Sequence, residues 1–193
     1  MSYTNLLYHI VYATKERAPL ITKTLRPRLH EYLGGTVRGL GGIALEINGT
    51  ADHVHVLAKL RPTISVSEFL SKLKSGSSGW AKRQTAGRFG WQARFAAFTV
   101  SESQVERVRQ YIRNQEQHHR KRTFEEEFKA LLRAHNVDFD AAHLWDNSVA
   151  SFAGSFDFFV GVPRLDCASS GALFYPLLAQ TRLGSATKEE NQS

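Results

Sequence analysis

The sequence predicts an α+β fold: a ferredoxin-like β-α-β-β-α-β antiparallel sheet with helices on one face, followed by a long C-terminal helix bearing a tyrosine. Three observations carry this. Four runs are rich in β-branched and aromatic residues. Two intervening stretches place apolar residues at helical spacing. Asn48-Gly49-Thr50 marks a tight turn between the second and third runs.

Asn5–Thr14 reads as a buried strand that ends where Lys15–Pro19 brings charge and proline. Thr22 is a helix N-cap candidate, and Leu25, Leu29, Leu33 and Val37 form one stripe of the helix that follows. Gly39, Gly41 and Gly42 release the chain. Residues 43–48 and 52–60 form a hairpin about the Asn48-Gly49 turn. Ser65 caps the second helix, in a capping box with Glu68, and Phe69, Leu70 and Leu73 form its apolar face. Residues 89–100 read as the fourth strand, 102–120 as one long helix, and 124–135 as a last helical segment. After Asp146 the pattern loses any clear period. The expected organisation is therefore one domain over residues 1–146 and an extension of uncertain order over residues 147–193.

Charge follows the same division. The chain of 193 residues carries 25 Lys and Arg against 18 Asp and Glu, a net charge of +7. Residues 147–193 contribute −1, so residues 1–146 carry +8 and all eight histidines. A basic excess of this size suits a polyanionic partner, nucleic acid first. One cysteine, Cys167, excludes an intramolecular disulfide framework and a multi-thiolate zinc site. The N-terminal residues lack the pattern of a signal peptide and no apolar run has membrane-spanning length, so a cytoplasmic protein with no membrane partner is expected.

Two constellations could carry chemistry. In His53-Val54-His55 the two imidazoles share one face of a strand and Val54 faces the other way. That spacing can grip one metal ion, and it equally fits two unrelated half-buried histidines. On the long helix, Tyr111 and Gln115 lie one turn apart on one face, with His118 continuing the stripe. Val105, Val108 and Ile112 form the neighbouring apolar stripe, which leaves Tyr111 either at a core edge or pointing into a site.

Together these segments resemble the HUH single-tyrosine insertion-sequence transposases, including the relatives associated with repetitive extragenic palindromes. The resemblance runs through the opening strand Tyr8–Lys15, Ala51–Leu57 around the histidine pair, Leu73–Trp80, Phe98–Ser101, Tyr111–Gln115 and Leu144-Trp145-Asp146. Phe95-Ala96-Ala97-Phe98 departs from the glycine- and tyrosine-containing segment often found there.

The resemblance implies that His53, His55 and Gln115 bind a divalent cation, Mg or Mn. It implies that Tyr111 is the catalytic nucleophile, cleaving and rejoining single-stranded DNA at insertion-sequence ends through a 5′-phosphotyrosine. It further implies hairpin-ended DNA as substrate and a homodimer whose active sites can be shared between subunits. Lys15, Arg17, Lys72, Lys74, Lys82, Arg83 and Arg113 are candidate DNA contacts or solvated faces, and Arg120-Lys121-Arg122 adds a basic run. Trp80 and Trp91 could stack on bases or pack in the core. The competing readings are a non-catalytic or decayed single-stranded nucleic-acid-binding protein on the same fold, and a replication- or transfer-type nickase.

Overall fold

The computed structural model describes residues 3–141, 144 and 145; the expected boundary at Asp146 and the extension at 147–193 lie outside them. Four strands, β1 (Leu6–Ala13), β2 (Ile43–Gly49), β3 (His53–Leu60) and β4 (Ala96–Thr99), form one antiparallel sheet in the order β2-β3-β1-β4. Helices α1 (Leu25–Gly39) and α2 (Val66–Gln84) connect the strands as the ferredoxin-like order requires. After β4 come α3 (Val105–Arg113), α4 (Gln115–His118) and α5 (Phe124–Ala134).

Strand alternation sorts the two faces. Ile10 and Tyr12 of β1 and Val54, Val56 and Ala58 of β3 join Leu29, Leu33, Phe69, Leu70 and Leu73 in the larger core. Each leucine buried this fully contributes about 1.5–3 kcal/mol. The other face carries Val11 and Ala13 of β1 and Phe98 of β4, covered by Phe124, Phe128 and Leu132 of α5. The helices following β4 therefore roof the face opposite α1 and α2, so both faces of the sheet are covered. The hairpin between β2 and β3 needs Gly49, because a Cβ there would lie 2.2 Å from the His53 carbonyl oxygen.

Caps explain where the helices start. The Leu25 amide donates to Thr22 Oγ1, and the Glu68 amide donates to Ser65 Oγ. The Glu68 carboxylate accepts from Lys72 Nζ, so only this half of the expected capping box forms there. The complete box lies at α5, between Thr123 and Glu126.

Two expected elements are shorter than the sequence suggests. β4 begins at Ala96 rather than at 89, because Phe89 and Trp91 turn into the larger core and Lys74 Nζ gathers the carbonyls of Gln92, Ala93 and Arg94. The long helix is interrupted at Asn114. Asn48 Nδ2, on β2, donates to the carbonyls of Ile112 and Arg113 at 3.0 and 2.9 Å, taking acceptors that a continuous helix would use. Among the described residues no helix is long and apolar enough to cross a membrane.

His30 on α1 gives the fold a pH dependence. Its Nε2 is buried without a hydrogen-bond partner, and burial, aided by the Arg26 charge, pulls the ring down to about 4. Between an unfolded value near 6.5 and about 4, the unfolded chain binds the proton and the folded chain does not. Stability contributed by the neutral ring is therefore complete above pH 6.5 and falls as pH drops toward 4. In urea titrations at pH 7 and pH 5, His30→Leu is expected to flatten this dependence by up to ~1.4 kcal/mol per pH unit. An unchanged slope would show that the ring titrates normally.

Candidate active site

The second face of the sheet is where polar side chains gather. His53 and His55 point to it from β3 and His9 from β1, and all three are buried. Their neighbours orient them. His53 Nδ1 lies 2.8 Å from Asp52 Oδ1 and 3.0 Å from Thr50 Oγ1, which places the proton on Nδ1 and leaves the Nε2 lone pair facing the site. His55 Nδ1 meets His9 Nε2 at 3.0 Å, while His55 Nε2 is buried with no hydrogen-bond partner. Burial pulls His55 down to about 4 against the opposing Glu127 charge, and burial with the His55 charge holds His9 well below its ordinary value. Both rings are therefore neutral at pH 7.

Helices α3 to α5 bring the remaining groups. The interruption at Asn114 turns Gln115 inward, where it is fully buried with Oε1 3.4 Å from His53 Nε2. Tyr111 stands one turn earlier, its ring centroid 5.8 Å from that of His55 and 6.0 Å from that of His9. The sequence-predicted His53, His55, Tyr111 and Gln115 thus converge within one chain. His118 extends the stripe as expected, its ring centroid 5.1 Å from that of Tyr111 though exposed; His119 also faces the site, with Nε2 3.1 Å from Gln115 Oε1.

Two groups were not picked out from the sequence. The first is His119. The second is Glu127 on α5, only 4% exposed. Its Oε1 accepts from the Tyr111 hydroxyl and from Gln115 Nε2, the latter at 2.9 Å. Its Oε2 lies 2.9 Å from His119 Nε2, 3.7 Å from His55 Nε2 and 3.8 Å from His53 Nε2. A signal for each existed: His119 is four residues beyond Gln115, and Glu127 falls between Phe124 and Phe128 on the apolar face of its helix.

Electrostatics follows from this packing. Burial pushes the Glu127 carboxyl up, but donors at His119 and Tyr111 and the His55 ring outweigh it and hold the group ionised far below the usual carboxylate range. The same hydrogen bond raises His119 above its ordinary value. The Tyr111 phenol is pushed up, first by burial and then by the Glu127 charge. A buried carboxylate ringed by imidazoles, with His55 Nε2 lacking a hydrogen-bond partner and Glu127 Oε2 turned toward three imidazole nitrogens, fits a divalent cation. Ligand atoms of His53, His119 and Glu127 all lie within 4.8 Å of one another.

The site opens into a cleft of about 630 Å³ lined by Tyr111, Asn114, Gln117, His118, His119 and the run Arg120-Lys121-Arg122. The other candidate DNA contacts are dispersed. Lys15, Lys82 and Arg83 are exposed. Lys72 pairs with Glu68, Arg113 with Glu46, and Arg17 with Glu125 while covering the Trp145 ring. The Lys74 ammonium is occupied by three backbone carbonyls. Trp80 stacks on Tyr32, and Trp91 packs edge-on against Tyr12 and donates to Ser77 Oγ.

The family described as "Transposase IS200 like" matches residues 2–115. The transposase for insertion sequence element IS200 of Salmonella typhimurium is 30% identical over 118 residues, 58% of this chain and 77% of that protein. The same element's transposase from Salmonella typhi matches equally. Among solved structures, a REP-associated tyrosine transposase bound to a REP hairpin aligns with a TM-score of 0.45 and 14% identity, over 59% of this chain and 68% of that one. With more than half of its length matched, the chain belongs to the IS200-like transposase family.

Proposed function

We propose that this transposase cleaves and rejoins single-stranded DNA at insertion-sequence ends, with Tyr111 as the nucleophile and a divalent ion, Mg or Mn, held by His53, His55 and Gln115. One observation carries the reading: in a member of a transposase family, the Tyr111 hydroxyl donates to Glu127, the carboxylate that faces His53, His55 and His119.

The chain's own residues divide the work. Arg120, Lys121 and Arg122 line the cleft and draw the DNA backbone toward Tyr111. Asp52 and Thr50 fix the His53 ring, and His9 fixes His55, so each presents Nε2 to the site, 3.8 and 3.7 Å from Glu127 Oε2. Bound there, the cation supplies positive charge that polarises a phosphate and favours an ionised phenol. The Tyr111 oxygen attacks phosphorus, forming the 5′-phosphotyrosine bond and breaking the bond to the 3′ oxygen, which leaves as a hydroxyl. A 3′-hydroxyl from another strand reverses the step, so rejoining needs no nucleotide hydrolysis. The meeting of these groups in one chain supports attack in cis. The homodimer implied by the family resemblance would hold two hairpin-bearing ends together.

The test is a covalent adduct. The full chain incubated with a labelled single-stranded oligonucleotide carrying a hairpin is expected to give a protein–DNA band that survives denaturing electrophoresis. The band should require Mg²⁺ or Mn²⁺. Tight binding without any adduct, on oligonucleotides from the element's own ends, would favour the non-catalytic reading.

The basic run gives a second expectation. Replacing Arg120, Lys121 and Arg122 together by alanine should weaken single-strand binding and make its salt dependence shallower. With about 0.7 counterions released per phosphate contact, the log–log slope should fall by roughly 2. Fluorescence anisotropy across a salt series reads this directly, and an unchanged slope would remove the run from the DNA path.

A further inference from the structure

The family match ends at residue 115, yet the site is closed by two residues beyond it, His119 and Glu127. We propose that Glu127 is itself a ligand of the divalent ion and the residue that positions the Tyr111 hydroxyl, with His119 as a further ligand; this rests on the ion-assisted cleavage proposed above.

The two carboxylate oxygens have separate surroundings. Oε2 pairs with His119 Nε2 at 2.9 Å and faces the His55 and His53 nitrogens at 3.7 and 3.8 Å. Atoms that each bind one ion at about 2.1 Å lie roughly 3–3.5 Å apart, so these separations suit a shared ion with small side-chain movement. Oε1 accepts from the Tyr111 hydroxyl and from Gln115 Nε2. That second bond turns the Gln115 amide so that its Oε1 faces His53 and His119. One carboxylate thus orients both the nucleophile and a neighbouring ligand.

The position of Glu127 is built by packing. The Thr123–Glu126 capping box starts α5, and Phe124, Phe128 and Leu132 seat the helix on the second sheet face. Glu127, between two seated phenylalanines, has to point at the sheet. The ion-pair partners of its carboxylate among the described residues are all imidazoles. A bound cation would come between the carboxylate and the nearest of them, His119 at 2.9 Å, and balance its charge. His119 is prepared in the same sense, because its Nδ1 faces the Arg122 carbonyl at 3.1 Å and leaves Nε2 toward the site. A carboxylate added to imidazoles and an amide oxygen also shifts the site toward hard cations such as manganese and away from zinc.

The test measures metal binding, not turnover. The metal-stripped full chain is titrated with Mn²⁺ and read by the loss of the free-ion electron paramagnetic resonance signal, then with Zn²⁺ in competition. Glu127→Gln is expected to weaken Mn²⁺ binding by about tenfold or more, and His119→Ala also to weaken it. In Glu127→Gln the Mn²⁺/Zn²⁺ affinity ratio should fall, which a purely structural role would not produce. If Glu127→Gln does not fold by circular dichroism, Glu127→Asp, which keeps the charge and withdraws it by one methylene, is read by the same criteria. Wild-type Mn²⁺ affinity in a folded Glu127 variant, with His53→Ala impaired, would overturn this inference and leave ion-assisted cleavage standing. Absence of Mn²⁺ and Mg²⁺ binding to the unaltered chain would overturn both.

Discussion

Tyr111→Phe is expected to abolish the covalent protein–DNA adduct while leaving the fold and non-covalent DNA binding in place. The ring keeps its packing against His9, His55 and His118. Only the hydroxyl is lost, and with it one hydrogen bond to Glu127 Oε1, which still accepts from Gln115 Nε2. The stability cost is therefore about 1 kcal/mol, small beside the functional loss. Without the hydroxyl the chain has no oxygen at that place to bond phosphorus. Removal of a nucleophile costs at least ~10³-fold in rate. Adduct formation by Tyr111→Phe at the unaltered rate would sink the assignment. Adduct at a reduced rate, mapping to another residue, would mean that a different hydroxyl had been misjudged as a spectator.

His55→Ala carries the second large effect. Its Nε2 is buried and has no hydrogen-bond partner, so the ring's inward edge has no role in holding the fold that another group shares. The substitution removes one of two preorganised nitrogen lone pairs and leaves His9 without its 3.0 Å contact. Cleavage at fixed Mn²⁺ should fall by about 100-fold or more, with a higher ion concentration needed for half-maximal rate. The cavity and the stranded His9 should also lower stability by ~1–3 kcal/mol. Single-strand binding in the presence of a chelator reports on the cleft alone and is expected to be unchanged. A folded variant that cleaves as fast as the parent at the same ion concentration would exclude His55 from the machinery.

Much of this arrangement was legible in the sequence where local rules govern. A two-residue repeat separates His53 and His55 from Val54 whatever else the chain does, and a four-residue step joins Tyr111 to Gln115. The strand order follows from element order and handedness. What was illegible depends on contacts between distant residues. The break at Asn114 is made by Asn48, more than sixty residues earlier, so the helix pattern alone reads as continuous and does not single out His119. Residues 89–95 have the composition of a strand, yet Trp91 forms a single antiparallel bridge to Thr14, because aromatic side chains enter the core and Lys74 clamps the following carbonyls. Glu127 sits in a run of three glutamates at a helix start, where acidic residues ordinarily complement the helix dipole. Its different fate depends on α5 lying against the sheet.

The roof over the second face has a cost for sequence drift. His53 stacks on Phe124 with ring centroids 3.9 Å apart and an interplanar angle of 13°. A ring that packs in the hydrophobic interior on one side thus walls the proposed active site on the other. In most enzymes a core phenylalanine can be exchanged for leucine or methionine with modest loss. At position 124 such an exchange would also tilt an imidazole whose lone pair must point correctly. Tolerance to substitution at this one ring is therefore set by two demands at once, and compensating changes for one would have to satisfy the other.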